Sequence, residues 1–373
     1  MKKQKKIKKL ITLSTLLIIL LFSFSCFEQS LKKVSIQSIT LELTEYYSFR
    51  KVDKIIPGFS YYPKLVIITK EGKKIKNPKL DDLNFISPNN SITFDHNFFG
   101  ALYFTFNPDY LFAAYEDYTL IVSSKYKDRI ENKFIFNVDW YNLPHLIFKG
   151  KDGLDGANGH DGKKGEDGTS SSPSGKDGED GGDGCDGEDG EDGRSLFLDI
   201  AYYKVPRQLF GYSNDYFIIV HDRILGRIYL YPIIGRIFID TSGGNGGNAG
   251  SGGKGGEGGN GYNGAPNGSK GKDGKPGSPG KGGNAGDITI NCPKNFNIYE
   301  HFSLKATGGK SGCTKTSTFN SINILDALSI LLNTAINSGK DGSIVINMVN
   351  LQDLFLYVNN GYFNRENLSD SKQ

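Results

Sequence analysis

The sequence predicts a mainly β protein: a β-sandwich, then a glycine-repeat stalk, then a C-terminal β-rich domain with a long glycine-rich excursion and one helix. Three observations lead there. Apolar residues alternate at period two in short runs outside the glycine-rich stretches, where Tyr, Phe and Ile abound. Glycine returns every third residue from Gly150 to Gly193. It does so again from Gly243 to Gly286. The 48 glycines explain why only 37% of the 373 residues are hydrophobic, and no side-chain core can form from such stretches. A period of three with glycine matches a polyproline-II-like helix, whose bare face lets another backbone pack closely.

The chain opens with an export segment. Met1 to Lys9 carries six lysines and no acid, and Leu10 to Phe24 is apolar but short for a membrane span. The run ends at Ser23-Phe24-Ser25-Cys26. A small residue before a cysteine at this place resembles a bacterial lipoprotein signal with its lipobox. The resemblance implies that residues 1–25 are removed, that Cys26 is acylated, and that the lipid holds the chain at a membrane. Losing six lysines takes the formal charge from +3 to −3. The mature chain is not basic, which argues against nucleic acid as a partner.

Residues 26–33 read as a tether and residues 34–148 as a β-sandwich. Ile39, Leu41 and Leu43 alternate, as do Leu102, Phe104 and Phe106, and Phe134, Phe136, Val138 and Trp140. Turn signals at Pro57-Gly58, Gly72, Pro88-Asn89-Asn90 and Asn107-Pro108 separate the runs. Roughly seven strands with no helical period fit a sandwich. Their spacing resembles the immunoglobulin-like domains of bacterial surface proteins. Trp140, the only tryptophan, reads as a core anchor.

Residues 149–194 form an acidic repeat with aspartate before most glycines. Its Gly-X-Y triplets resemble bacterial collagen-like repeats, which implies a triple helix and a homotrimer. The residues themselves leave three packings open: an acidic spacer, a trimeric stalk, or a polyglycine-type structure within one chain. Three acidic chains side by side would repel. The frame also breaks, because Gly168 is followed by Gly175. Asp177, Asp180, Asp183, Asp186, Asp189 and Asp192 fall on one face and are candidates for weak calcium binding. They lack the EF-hand spacing, so no firm metal site and no other cofactor is expected.

Residues 195–242 predict four strands. Residues 243–286 are Gly-Gly-X early and single-glycine later, and read either as a rod within the chain or as a disordered loop. A repeat surrounds them. Ile239 to Gly244 matches Leu304 to Gly309, and Gly286-Asp287-Ile288-Thr289-Ile290-Asn291 matches Gly342-Ser343-Ile344-Val345-Ile346-Asn347. Strands of matching pattern should lie side by side. Residues 287–364 add strands and a helix at 321–337, and residues 365–373 read as a disordered tail. Cys292 and Cys313 lie near strand ends and are a candidate disulfide in an oxidising compartment.

No catalytic pattern rises above chance. The five histidines have no close ligand neighbours, and the Gly-x-Gly-x-x-Gly strings lack a βαβ context. The expectation is a non-enzyme. Taken together, signal and repeats resemble bacterial collagen-like surface lipoproteins. That implies an exported protein at the outer membrane or cell surface, displayed for adhesion to a host extracellular-matrix protein. A purely structural envelope spacer and a weak calcium-binding acidic module are the alternatives.

Overall fold

The computed structural model describes residues 28–98, 100–126, 130–205, 209, 215–314, 337–356 and 358–371. Cys26, the segment read as an export signal, and all but the last residue of the helix expected at 321–337 lie outside these. The chain divides into two units, Met1–Leu143 with Val205–Asp215, and Pro144–Lys204 with Tyr216–Gln373. Strands dominate both, so the protein is mainly β.

The first unit holds nine strands: β1 (Ile36–Glu45), β2 (Lys51–Val52), β3 (Ser60–Thr69), β4 (Lys74–Ile75), β5 (Leu83–Ile86), β6 (Ile92–His96), β7 (Leu102–Phe106), β8 (Tyr118–Ser124) and β9 (Glu131–Phe136). One sheet runs β2-β1-β3-β7-β6 with β4 on β3, and the other runs β5-β8-β9. Without the two-residue strands β2 and β4, this is the A-B-E-D and C-F-G order of a constant-type immunoglobulin domain. Inward residues of both sheets form the core. Phe106 meets Tyr118 and Phe136 edge-on, and Phe104 meets Phe85. A short helix, α1 (Tyr110–Tyr115), joins β7 to β8, capped by Asp109, whose carboxylate accepts from the N–H of Leu111 and Phe112. Tyr118, fully buried at the start of β8, donates to the Asn107 carbonyl at 2.7 Å. That is the tyrosine corner of this fold. Trp140 is buried, as expected.

The second unit has two further sheets. One is all parallel: β10 (Leu146–Ile147), β14 (Ile237–Asp240) and β16 (Phe302–Lys305). The other runs β13-β12-β11-β15-β17, built from β11 (Leu196–Lys204), β12 (Tyr216–Asp222), β13 (Arg227–Pro232), β15 (Ile288–Pro293) and β17 (Ile344–Val349). A four-residue helix, α2 (Ile298–His301), leads into β16. The strands of matching sequence do pair. Ile288 to Asn291 lie opposite Ile344 to Asn347, and Ile239 and Asp240 opposite Leu304 and Lys305. The tail is not disordered throughout: β18 (Leu368–Ser369) pairs with Tyr202 and Tyr203 of β11, and the Tyr203 hydroxyl accepts the Asn364 N–H.

Between the two sheets the chain makes glycine helices. Helix I (150–168) follows β10 and helix II (175–193) leads into β11. Helix III (243–261) follows β14 and helix IV (268–286) leads into β15. Helix V (308–313) and helix VI (338–342) stand in the same relation to β16 and β17. Backbone hydrogen bonds between them recur at every third residue, as three residues per turn requires. Gly150, Gly153 and Gly156 of helix I donate to Ser242, Asn245 and Asn248, along helix III, which runs parallel. Gly244, Gly247 and Gly250 of helix III donate to Glu191, Glu188 and Cys185, along helix II, which runs antiparallel. Helices I, III and V thus form one layer and II, IV and VI the other. The strand order of each sheet continues into its layer. At about 3.1 Å per residue, helices I to IV are each roughly 56 Å long.

The acidic block is therefore not a separate stalk. It is the first of three out-and-back excursions in a single rod. Of the packings open to it, the chain adopts the one within itself, because its repeating backbone donors find carbonyls of helices III and IV. The second block is likewise a rod and not a disordered loop.

Candidate functional site: the rod, its tip and an aromatic platform

Glycine is needed in the rod because carbonyls stand where side chains would be. A Cβ on Gly153 would lie 2.1 Å from the Glu188 oxygen, and one on Gly253 would lie 2.0 Å from the His160 oxygen. The Gly-Gly-X triplets of helix III follow directly. Gly244 faces the Lys151 carbonyl of helix I, and Gly243 faces the Gly283 carbonyl of helix IV. In helix IV the second glycine, Gly282, appears where helix V arrives, against the Gly309 carbonyl. Gly182, an extra glycine in helix II, lies under the His160 ring. His160 remains exposed, but it covers a neighbouring helix.

The aspartates have a structural role that composition does not reveal. Asp177, Asp180, Asp183, Asp186, Asp189 and Asp192 accept the backbone N–H groups of Ser269, Lys272, Lys275, Ser278, Lys281 and Asn284 at 2.5–2.7 Å. Asp152, Asp155, Asp161 and Asp167 do the same for helix III, and Asn158 does so for Ser251. Each carboxylate satisfies the N–H that follows a glycine on the next helix of its layer. The row continues outward through Asn245 and Asn284, which accept from Lys310 and Lys340. Lysines also offset the repulsion expected of an acidic face. Lys272, Lys275 and Lys281 lie next to the aspartates that receive their N–H groups, and Lys176 pairs with Glu166 at 2.6 Å.

Several carboxyls of the rod and its base are held below the usual range, Glu166 by its Lys176 partner among them. The Asn245 N–H and then Lys149 depress Asp152, and Lys164 and then the Asn260 N–H depress Asp167. The Gly255 N–H depresses Asp273, and the Ser343 N–H depresses Asp287. Among the described residues, no group of three or more His, Cys, Asp or Glu could hold a metal ion.

Where the rod meets the sheets, a polar row crosses the second sheet. Asn347 donates to Asn291, and Asn291 to Asp199, each at 3.0 Å. Burial works against the Asp199 charge, but the His221, Arg223 and Asn291 side chains around it outweigh burial and keep its carboxyl low. The group is enclosed, and its role is to tie β11, β15 and β17 together.

The expected Cys292–Cys313 disulfide is absent, and both cysteines are free. Gly312 donates to Gly280, so Cys313 stands beside the middle of helix IV. Cys292 lies some twelve residues further along that chain, roughly 35–40 Å away at about 3.1 Å per residue, far beyond disulfide reach. Cys292 instead packs its buried thiol 3.8 Å from the Met348 sulfur, and burial pushes its pKa up.

Two exposed surfaces stand out among the described residues. The first is the rod tip, where the loops 169–174 and 262–267 are joined by bonds from Tyr262 N–H to Pro173 and from Gly175 N–H to Pro266. The loops read Thr-Ser-Ser-Ser-Pro-Ser and Tyr-Asn-Gly-Ala-Pro-Asn. They are the same length and carry no charge, in contrast to the shaft. The second surface lies on the first unit. Phe49 stacks on Tyr62 at 5.5 Å and Tyr62 on Tyr46 at 4.8 Å, with Tyr47 and Tyr103 edge-on to Tyr46. Tyr47 is 92% and Phe49 70% exposed. Phe49 has a φ of 55°, a left-handed conformation that costs a bulky residue about 1–2 kcal/mol. Neither surface is signalled by a motif. The only sequence hints are the loss of charge at the two breaks and the cluster Tyr46-Tyr47-Ser48-Phe49. No protein-family model, curated protein or solved structure matches this chain.

Proposed function

We propose that this chain is an exported lipoprotein, held at the outer membrane or cell surface by acyl groups on Cys26, whose glycine-helix rod presents an adhesive tip to a host or matrix component. The observation that carries the reading is the contrast along the rod. The shaft is charged and its backbone groups are engaged by neighbouring helices. Its far end carries two uncharged loops, with Tyr262 at 44% exposure among hydroxyl and amide side chains. Neutral polar groups and an aromatic ring are cheap to desolvate compared with the shaft's ion pairs, so a partner gains most at the tip. The protein does no chemistry of its own in this reading.

The test is binding of the purified chain to immobilised extracellular-matrix protein. Tyr262→Ala with Asn263→Ala should remove most of the binding while the polyproline-type circular dichroism of the rod stays intact. Undiminished binding by that variant would move the adhesive surface elsewhere. No binding by the parent chain, with altered envelope integrity on deletion, would favour the structural-spacer role.

A further inference from the structure

The sandwich of the first unit has two unlike poles. β1 pairs antiparallel with β3, so Ile36 lies opposite Thr69 at one end and Glu45 opposite Tyr61 at the other. The poles are about 30 Å apart, from nine steps of roughly 3.3 Å. The aromatic platform belongs to the Glu45 end. The Ile36 end gathers the chain entry and the β3–β4 turn. Gln29 bonds to Asn77 and Lys79, and Lys70 bonds to Ser35. The buried Asp82 carboxylate fixes this pole by accepting from the Leu31 N–H at 2.7 Å and from Ser30 and Tyr126.

This entry pole is basic. Lys32, Lys33, Lys70, Lys73, Lys74 and Lys76 are all exposed there. The exposed acids nearby are Glu28, Glu71, Asp81 and Glu131, fewer than the lysines, and Asp81 is partnered by Lys79 at 3.8 Å. The lysines come from two segments about forty positions apart in sequence, so the fold creates the patch. The chain reaches this pole only a few residues after Cys26.

We infer that the lysine pole of the sandwich rests on the anionic headgroups of the membrane that holds the chain, with the aromatic platform turned away from the bilayer. The orientation relies on the proposal that Cys26 is acylated, whereas the affinity of the pole for anionic lipid does not. An acyl anchor is strengthened by a basic patch next to it, because each lysine near an anionic surface adds attraction that falls off within a Debye length.

The test uses a chain starting at residue 27, which carries no acyl group and whose fold is checked by Trp140 fluorescence. That chain should sediment at low salt with vesicles containing phosphatidylglycerol and not with pure phosphatidylcholine. Raised salt should release it. At about five-fold per lysine, the quadruple variant Lys32→Glu, Lys33→Glu, Lys73→Glu, Lys74→Glu should bind at least about a hundred-fold less. Unchanged Trp140 fluorescence would certify its fold. Equal binding to neutral vesicles, or full binding by the quadruple variant, would overturn the inference. So would capture by heparin without capture by phosphatidylglycerol, which would make the pole a polysaccharide reader. Mass spectrometry of the cell-made protein tests Cys26 acylation separately, so failure of the anchor and failure of the pole cannot be confused.

Discussion

The sandwich and the rod solve the same problem by opposite means. In the sandwich, Phe104, Phe106, Tyr118 and Leu120 are fully buried and side chains exclude water. In the rod most side chains point outward, Ala249 and Ser311 being buried, and the backbone itself is the interior. Its glycine N–H groups donate to carbonyls of neighbouring helices at 2.7–3.0 Å, and those carbonyls occupy the space that side chains would need at the glycine positions. The sandwich tolerates many sequences that keep hydrophobic volume. The rod tolerates almost none at its glycine positions but leaves its outward residues free. Backbone packing therefore separates stability from surface chemistry more cleanly than side-chain packing does.

The sharpest way to break the comparison is one methyl group. Gly253→Ala places its Cβ 2.0 Å from the His160 oxygen. Helices I and III must part, and the hydrogen bonds around them go with the contact, each worth about 1 kcal/mol. We expect a loss of about 5 kcal/mol, at the top of the range for single substitutions, read as collapse of polyproline-type circular dichroism. Gly72→Ala is the control. Its φ is +80° but nothing lies within 4 Å, so about 1 kcal/mol is expected. If the two variants cost the same, backbone close packing is not what holds the rod.

The matching lesion in the sandwich is Phe104→Ala. Phe104 is fully buried and meets Phe85 and Phe94. A cost of about 4 kcal/mol is expected, with Trp140 fluorescence as the probe because that residue lies in the same unit. A void is a gap into which neighbours relax, whereas an overlap with a carbonyl allows no such relief. That asymmetry is why the smaller chemical change should do more damage.

Acid should also separate the regions. The carboxyls of Asp152, Asp167, Asp273 and Asp287 titrate below their ordinary value in the folded chain. A depressed carboxyl contributes stability that is complete above its unfolded pKa, and that is lost as pH falls through the lower folded pKa. For these aspartates the loss begins below about pH 4. In the sandwich, Asp82 is held low in the same way. Burial would raise it, and the Leu31 N–H and the Tyr126 and Ser30 hydroxyls overcome that. With several depressed carboxyls cited in the rod against Asp82 in the sandwich, the rod should lose more stability over the same fall in pH, so its circular-dichroism signal should fade before the Trp140 signal. The reverse order would mean that these side-chain bonds contribute little to the rod.

Local patterns were legible, and long-range partners were not. The strand pairs at Ile288 and Ile344, and at Ile239 and Leu304, could be read because like sequences stack. The strand spacing carried the sandwich, although only the pairing shows its A-B-E-D and C-F-G order. What stayed hidden is that the two glycine blocks are one object. The clue was the seven-residue step from Gly168 to Gly175, which recurs from Gly261 to Gly268. The Gly-Gly-X triplets masked it, because a second glycine frame runs from Gly244 through Tyr262 and Ala265 to Gly286. The aspartates misled for a related reason. Their partners lie 92 or 93 positions away. Without that pairing they look like stacked charge, and with it they are acceptors.

The finest test asks whether those aspartates act as acceptors or as charges. Asp180 receives the Lys272 N–H at 2.6 Å. Asp180→Asn keeps an oxygen in place and removes the charge, and Asp180→Ala removes both. Asn158 already serves Ser251 at 3.0 Å in helix I, so an amide can do this work. Asn should therefore be close to neutral in thermal unfolding. Ala should cost about 1 kcal/mol or less, since the freed N–H lies near water. If Asn proves as damaging as Ala, charge is the operative property. Calcium then distinguishes the sources: stabilisation of the parent by calcium, absent in the Asn variant, would assign the charge to cation binding. Indifference to calcium would assign it to the lysines of helix IV.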